Sequence, residues 1–543
     1  MKKHNTIKVV LITMLVFLVL SWILPAAYYS GEYIDQGRVQ MGLFDLFNYP
    51  LTAVAYFGYI AFYFILVGGF YGILYKIPAY RTFLDKFAGA MKGRESIWLS
   101  VMVLVLASLV SICGLQFGIA LFIPFIVSLI LLMGYDKIVA ALVTVGSISV
   151  GLLGSTYAYS NIGILTQICS LNWDYQIGVR FVLLFVGAAL VIFNTLVYAK
   201  HNHMNVKIER KTVKRTEKVA EKVTVSKAEV APEKVKKEAP KKTSSNGKKP
   251  ASKKSAPKGK KPAKKSGKNP NKAALKNEDI IVVKESKTDE DLVPTVVASK
   301  NKLWPFVLVF SLLFVILVLA FITWGDNGFK VALFTNITKS VNEFKLFGFP
   351  LFAKLLGSFN AFGSWTITDM FLPMALAVLL LAVLYKVKLD DIFEGFANGA
   401  KKAFGPALLV ICMYTVLVMV TYHPFQLTIY KAILGLTKGF NIATTVLVAV
   451  LASIFNSDVA YTFQSVVPYY TSVITNVDDY SIPAIIFQSV YGLTMLVAPT
   501  SLALMAILSY LGVSYKEWLK SVWKLLLELF VVLLIVFIIL ALI

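Results

Sequence analysis

Cysteine is nearly absent, with only Cys113, Cys169 and Cys412 in a chain of 543 residues. None sits in a CxxC pair and all lie in or beside apolar stretches, which argues against a disulfide framework or thiolate metal centre and leaves small packing residues. Charge is scarce too, at 15% of residues against 57% apolar. The chain carries no metal-ligand constellation, no phosphate-cradling glycine loop and no nucleophile beside a plausible base, so no enzyme and no cofactor are expected. What fills it instead is a series of apolar runs of about 20 residues, the length that crosses a roughly 30 Å hydrocarbon core. The expected fold class is an all-α polytopic membrane protein of the plasma membrane.

About two-thirds of the net charge of +24 falls between His201 and Lys300. That stretch is rich in Lys, Ala, Pro and Ser, and is too poor in aromatic residues to bury a core. It reads as a disordered cytoplasmic linker in which His201 and His203 are ordinary linker residues. The expected organisation is a first transmembrane repeat over 1–200, the basic linker over 201–300 and a second transmembrane repeat over 301–543. The linker's charge suits anionic lipid headgroups on the cytoplasmic leaflet, and nucleic acid is the alternative partner its composition offers but is not the expected one.

Lys2, Lys3 and Lys8 place the N-terminus in the cytoplasm, ahead of a retained span from about Ile7 to Leu24. An outer amphipathic piece, Phe44 to Pro50, leads into a span from Leu51 to Tyr75, whose Gly68, Gly69 and Gly72 permit close helix approach. Lys76, Arg81, Lys86, Lys92 and Arg94 come next, on an amphipathic helix expected along the inner surface. Ile97 to Met133 is two apolar stretches parted at Ser111 to Gly118, either two crossings or one re-entrant hairpin. The next span breaks between Gly151 and Thr156, and Gly178 to Lys200 is a clean crossing. After the linker come spans from Leu303 to Trp324 and from Thr366 to Tyr385, with Asp369 as an N-cap. Then come an inner amphipathic helix (Asp390 to Lys402), a span from Pro406 to Tyr422 and an outer segment (Gln426 to Lys438), and a span from Trp518 to Ile543 closes the chain. His423, beside Pro424, reads as a surface residue.

The halves repeat. Phe44-x-Leu46-Phe47-x-Tyr49-Pro50-Leu51 returns as Phe344-x-Leu346-Phe347-x-Phe349-Pro350-Leu351, and Leu74-Tyr75-Lys76 as Leu384-Tyr385-Lys386. Farther on, Leu106-Ala107-Ser108 matches Leu451-Ala452-Ser453, Pro124 matches Pro468 and Thr156 matches Thr500. The offset then slips by one span's worth of residues, from Pro406 to Lys438. One extra crossing inverts the remainder of the second half, so the expectation is about nine transmembrane helices plus two opposed re-entrant hairpins in two inverted repeats.

The stretch Leu451 to Leu508 carries the strongest functional signal. Apolar runs there break at Asn456-Ser457-Asp458 and at Ala498-Pro499-Thr500-Ser501. A broken helix in hydrocarbon must find partners for its freed backbone groups, so it survives only inside protein or along a cavity. A carboxylate at that depth costs about 3 kcal/mol on insertion scales and marks an ion or substrate path, which makes Asp458 the candidate ion-coupling residue, carrying Na⁺ or H⁺. Ser155, Thr156, Asn161, Gln116, Asn456, Ser457, Thr500 and Ser501 are the candidate substrate-binding residues. Half-helix N-termini favour a carboxylate-bearing solute, although hydroxyl groups there can equally serve to re-satisfy broken helices.

Ile123-Pro124-Phe125 to Gly134-Tyr135-Asp136, and Pro499-Thr500-Ser501 through Leu511-Gly512-Val513-Ser514-Tyr515-x-x-Trp518-Leu519, are similar to the ion transporter superfamily. The closest branch holds the C4-dicarboxylate anaerobic carriers, carriers resembling basic amino acid antiporters, and p-aminobenzoyl-glutamate transporters. The resemblance implies nine spans, two opposed hairpins, a homodimer and elevator-type secondary active transport of a dicarboxylate, amino acid or peptide-like metabolite. Asn456-Ser457-Asp458 stands where the family tends to carry a Ser-Gly-Ser-Gly-like tip, so the substrate does not carry over with the fold. The alternative is a transport-inactive membrane anchor or receptor whose basic linker recruits lipid or nucleic acid.

Overall fold

The computed structural model describes residues 5–114, 118–202, 209–211, 280–282, 292–294, 302–325, 328–357, 360–456, 458–476 and 480–542. The chain forms two compact units, one of Met1–Asn205 with Glu285–Ile543 and one of Val206–Lys284. In the smaller unit the described residues are the antiparallel strands β3 (Glu209–Lys211) and β4 (Ile280–Val282).

The larger unit is helical apart from one hairpin, β1 (Ala26–Tyr29) with β2 (Tyr33–Gly37). Its first half runs α1 (Asn5–Ile23), α2 (Asp45–Leu74), α3 (Pro78–Ala90), α4 (Glu95–Cys113), α5 (Ile123–Leu132), α6 (Lys137–Ala141), α7 (Ser147–Leu153), α8 (Tyr159–Ile168) and α9 (Ile177–His201). A π-helical turn joins α6 to α7. The second half runs α10 (Trp304–Phe321), α11 (Leu333–Glu343), α12 (Leu351–Leu356), α13 (Phe371–Leu384), α14 (Leu389–Tyr422), α15 (Gln426–Leu434), α16 (Ile442–Phe455), α17 (Val459–Val473), α18 (Ser481–Met495), α19 (Leu502–Leu511) and α20 (Tyr515–Leu542). Among the described residues, eight helices are long and apolar enough to cross a membrane. The protein is an all-α polytopic membrane protein.

Length separates crossings from hairpin arms. At 1.5 Å per residue, the ten residues of α5 span about 15 Å, and α16 and α17 about 21–23 Å, all short of the roughly 30 Å core. The short helices α5, α16 and α17 are therefore arms of interrupted segments, and α4, long enough to cross by itself, leads into the first interruption. The ends are written locally. Gly114 closes α4 at φ 64° and Gly512 closes α19 at φ 67°, a left-handed conformation open to glycine without a Cβ penalty. Asn441 caps α16 by accepting from Ala443 N at 2.9 Å, and Asp136 caps α6 by accepting from Val139 N at 2.9 Å.

Two prolines do not break the chain where the sequence suggested. Phe44 to Pro50 is not a separate amphipathic piece, because α2 begins at Asp45 and continues through Pro50. Likewise α14 runs unbroken through Pro406, joining the expected inner helix to the following span. Tertiary contact holds this junction. Gly68 and Gly72 of α2 lie against Gly395, Gly399 and Ala403 of α14, so the two backbones touch and the first half of α14 is buried on that face.

Other expectations also shift. His423 is buried, with Nδ1 2.8 Å from Val39 O and Nε2 2.7 Å from the Tyr49 hydroxyl. The loop ahead of α2 covers it, together with the β-hairpin whose Ala27 N donates to Pro424 O. Asp369 forms a capping box with Thr366, as its position at a helix start suggested. Arg81 of α3 is not laid on a surface: it is buried, pairs with Asp85 at 2.9 Å and donates to Pro294 O.

The predicted disorder of 201–300 falls mostly outside the described residues. Near its end, however, Leu292 and Val293 are buried in the larger unit, and Leu292 O accepts from Ser128 Oγ at 2.7 Å and Tyr75 Oη at 3.2 Å. Two buried apolar side chains and three backbone hydrogen bonds anchor this tripeptide, which composition over a 100-residue window could not resolve. Ser128→Ala leaves one of those bonds unmade and costs about 1 kcal/mol. The expected result is faster protease cleavage between residues 285 and 300, read by limited proteolysis.

Candidate functional site

Four interruptions lie in the larger unit: after α4 at Gly114, between α7 and α8 at Gly154 to Ala158, between α16 and α17 at Asn456 to Asp458, and between α18 and α19 at Leu496 to Ser501. They are packed together. α7 lies on α4 and α18, α16 lies on α18, and α8 lies on α17. In each half a threonine ties the broken span to the preceding interrupted segment. Thr156 N donates to Ser111 O at 2.9 Å in the first half, and Thr500 Oγ1 donates to Ile454 O at 2.8 Å in the second.

The freed backbone groups of these breaks are largely taken up by side chains. In the first break, Ser111 Oγ donates to Gly154 O at 2.7 Å, and Ser111 O accepts from the backbone N–H groups of Thr156, Tyr157 and Ala158. Gln488 of α18 donates to Ser155 O at 3.0 Å, and the Arg180 guanidinium donates to Thr156 O at 2.7 Å. In the second break, Trp518 Nε1 donates to Leu496 O at 2.9 Å and the Tyr515 hydroxyl donates to Val497 O. Each removes a carbonyl that would otherwise be buried without a partner. Ser111→Ala strips one donor and one acceptor from the first break. It should cost about 2 kcal/mol, seen as earlier thermal unfolding of the purified protein.

The same hydrogen bonds occupy most of the candidate residues. Asn161 donates to Ser155 Oγ at 2.9 Å, Asn456 donates to Ala452 O at 3.0 Å, and Ser501 caps α19 by accepting from Leu504 N at 3.4 Å. Ser155, Thr156, Asn161, Asn456, Thr500 and Ser501 are all buried and hydrogen-bonded within the breaks. Gln116 and Ser457 lie outside the described residues.

A cavity of about 510 Å³ is lined by the breaks after α4, ahead of α8 and ahead of α17, and not by the described residues of the α18–α19 break. Gly114 and Gly118 line it from the first hairpin, Asp458, Val459 and Ala460 from the second, and Tyr159 and Ser160 from the start of α8. Tyr59 of α2, Phe321, Thr323 and the segment Gly363–Ile367 complete the wall. Of the described candidate residues, Asp458 alone lines this space, and it is the one acidic or basic side chain among the described residues that do so. Its Oδ1 caps α17, accepting from Ala460 N at 2.9 Å and Tyr461 N at 3.3 Å. Capping uses one oxygen. Among the described residues, Oδ2 takes no hydrogen bond.

Sequence reasoning missed the walls supplied from afar. Tyr59, Thr323 and Gly363–Ile367 are remote in the chain from the hairpins and carry no periodic signal. Thr366 stood beside Asp369 as a helix-start signal and nothing more. The hairpin turn Gly118–Leu121 is gripped by α2, with Tyr63 Oη donating to Gly118 O at 3.2 Å and Tyr71 Oη to Leu121 O at 2.8 Å. Tyr515 and Trp518 were visible as a motif but not as donors to a broken helix.

No described group of histidine, cysteine and acidic residues is placed to hold a metal ion. A search among curated proteins found no match. A sequence profile of the C4-dicarboxylate anaerobic carriers does match, over residues 57–239 and 263–542. That range takes in both interrupted hairpins, both broken spans and most of the cavity wall, and the chain belongs to the C4-dicarboxylate anaerobic carrier family, a family of transporters.

Proposed function

We propose that the protein is a secondary active carrier of a small dicarboxylate, bound in the cavity between the two hairpin tips and coupled to Na⁺ or H⁺ through Asp458. The observation that carries this reading is the convergence of two chain breaks from separate halves on a cavity of about 510 Å³ whose wall holds the Asp458 carboxylate with no cationic side chain among the described lining residues. Such a volume lies in the range of small-molecule sites. A dianion entering it meets the negative charge of Asp458, and that repulsion is relieved only if a cation or proton arrives as well. The arrangement therefore ties solute binding to cation binding.

Movement arises from the same parts. α4, α7, α8, α16, α17 and α18 form a body packed on itself, while α2 and α14 touch backbone to backbone and provide a fixed partner on which α19 rests. Displacement of that body past α2 and α14, in the manner of an elevator, exposes the cavity to one side of the membrane and then the other. The positive-inside rule favours a cytoplasmic N-terminus and linker in a plasma-membrane protein. The test is thermal stability of the purified protein with succinate or fumarate, with and without Na⁺, across pH. A bound dicarboxylate raises the midpoint in proportion to its occupancy, with a dependence on Na⁺ or on acid pH that names the coupling cation. A flat response to every dicarboxylate tested would reject the reading.

A further inference from the structure

Arg180, three residues into α9, is a buried charge with no place in the cavity wall. Its side chain is inaccessible to solvent, yet among the described residues no ion pair reaches it: Asp174, six residues earlier, is exposed and forms none with it. Nη1 donates to Thr156 O at 2.7 Å, Nη2 to Trp173 O at 2.9 Å, and the guanidinium carbon sits 4.4 Å from the centre of the Tyr175 ring. Nε is buried, with no hydrogen-bond partner among the described residues. Burying a charge without a counter-charge is expensive. Two carbonyls do not require it, because the neutral amide of Gln488 serves Leu153 O and Ser155 O in the same break.

The charge sits one layer behind the cavity wall. Tyr159, which lines the cavity, stacks on Trp173 at 5.6 Å between ring centres, and Trp173 O is one of the two carbonyls that Arg180 holds. The other, Thr156 O, belongs to the connection that leads into Tyr159 and Ser160. Asp458 lines the same cavity. The first half thus puts a fixed positive charge one layer behind the cavity wall, and the second half puts a negative one in the wall itself.

We propose that Arg180 is a positioning residue whose buried charge sets the preference of the cavity for dianions over monoanions, without touching the solute. This rests on the carrier reading above. A charge acting through low-dielectric protein favours each carboxylate of the solute, so a dianion gains roughly twice the free energy of a monoanion. Removal of the charge then lowers dianion affinity by on the order of tenfold and monoanion affinity by about threefold, its square root. A purely structural clip predicts otherwise, since loosening the break weakens both solutes alike.

The experiment measures binding of succinate and of its half-amide, succinamate, to the purified full-length protein and to the Arg180→Gln and Arg180→Lys variants. Glutamine keeps donors for the carbonyls and removes the charge, whereas lysine keeps the charge and loses the planar fork. The expected result is a succinate-to-succinamate preference that falls about threefold in Arg180→Gln and is preserved in Arg180→Lys. An unchanged preference in the glutamine variant overturns the inference, as does an equal loss in both variants. If the glutamine variant does not fold, lysine decides: a preserved preference supports the proposal and a collapsed one refutes it. Wild-type protein that binds neither solute refutes the carrier reading itself, an outcome separate from any change in preference.

Discussion

Asp458→Asn protein in liposomes is expected to exchange labelled for unlabelled dicarboxylate while failing to accumulate it against a gradient, with net accumulation at least about tenfold below wild type. A neutral isostere is informative here because asparagine caps a helix as well as aspartate does. The Oδ1 bonds to Ala460 N and Tyr461 N can persist, so α17 keeps its start. What disappears is the charge that a dianion must face inside the cavity. With that charge gone, the solute no longer needs a companion cation to enter. The dependence of binding on Na⁺, or on protons, should vanish with it. Uptake that remains concentrative in the variant would show that Asp458 is only a cap and that coupling lies elsewhere.

The second large effect concerns the fixed partner. A methyl group added at Gly72 would lie 2.0 Å from Gly395 O, and one added at Gly399 would lie 2.0 Å from Gly68 O. Both obstacles are backbone atoms, which cannot rotate aside, so α2 and α14 must separate. Separation undoes the packing along their length, including the Phe57–Tyr414 stack at 4.0 Å between ring centres. Overpacking of this kind costs about 3 kcal/mol, and Gly72→Ala should lower the unfolding midpoint by on the order of 5 °C. Gly58→Ala on the same helix is the control. There a Cβ meets Val54 Cγ1 at 3.5 Å, an ordinary contact, so the gain in helix propensity, roughly 0.5–1 kcal/mol, should leave stability equal or higher. Equal midpoints for Gly72→Ala and wild type would mean that α2 and α14 do not touch as described.

The interruptions were legible because hydrocarbon tolerates so few of them. Asn456-Ser457-Asp458 and Pro499-Thr500-Ser501 stand out in runs that are otherwise apolar, and Thr156 and Thr500 each donate a hydroxyl to a carbonyl of the preceding interrupted segment. Gly68 and Gly72 signalled a close approach, but their partners lay in a segment that read as a surface helix. Only the fold shows that Gly395 and Gly399 turn that segment inward. Pro406 looked like a boundary because a proline removes one backbone donor. Packing on α2 outweighs that single loss, and α14 continues. The cavity wall from Thr323 and Gly363–Ile367 depends on contacts that no local pattern encodes. Arg180 was lost for a related reason, since an arginine near the end of a span reads as a side chain reaching for the interface.

The candidate polar residues illustrate a division of labour. Hydroxyl and amide side chains at the breaks could have faced a solute, but those described are bound to the chain itself at Ser111, Ala452, Ile454 and their neighbours. Breaking a helix inside a membrane consumes donors, and the side chains nearest the break are the ones consumed. Among the described residues, what lines the cavity for the solute is one carboxylate, glycine backbone at the first hairpin, and hydroxyl groups that include those of Tyr59, Thr323 and Ser364.

The most direct measurement is solute protection of the cavity wall. Ala460→Cys, in a background where Cys113, Cys169 and Cys412 are replaced, places a single thiol beside Asp458 in the cavity. Its alkylation by a water-soluble maleimide should proceed readily and slow severalfold in saturating succinate, with no slowing by a neutral diamide of the same length. A thiol that does not react, or that reacts at one rate whatever dicarboxylate is present, would contradict a solute site between the hairpin tips.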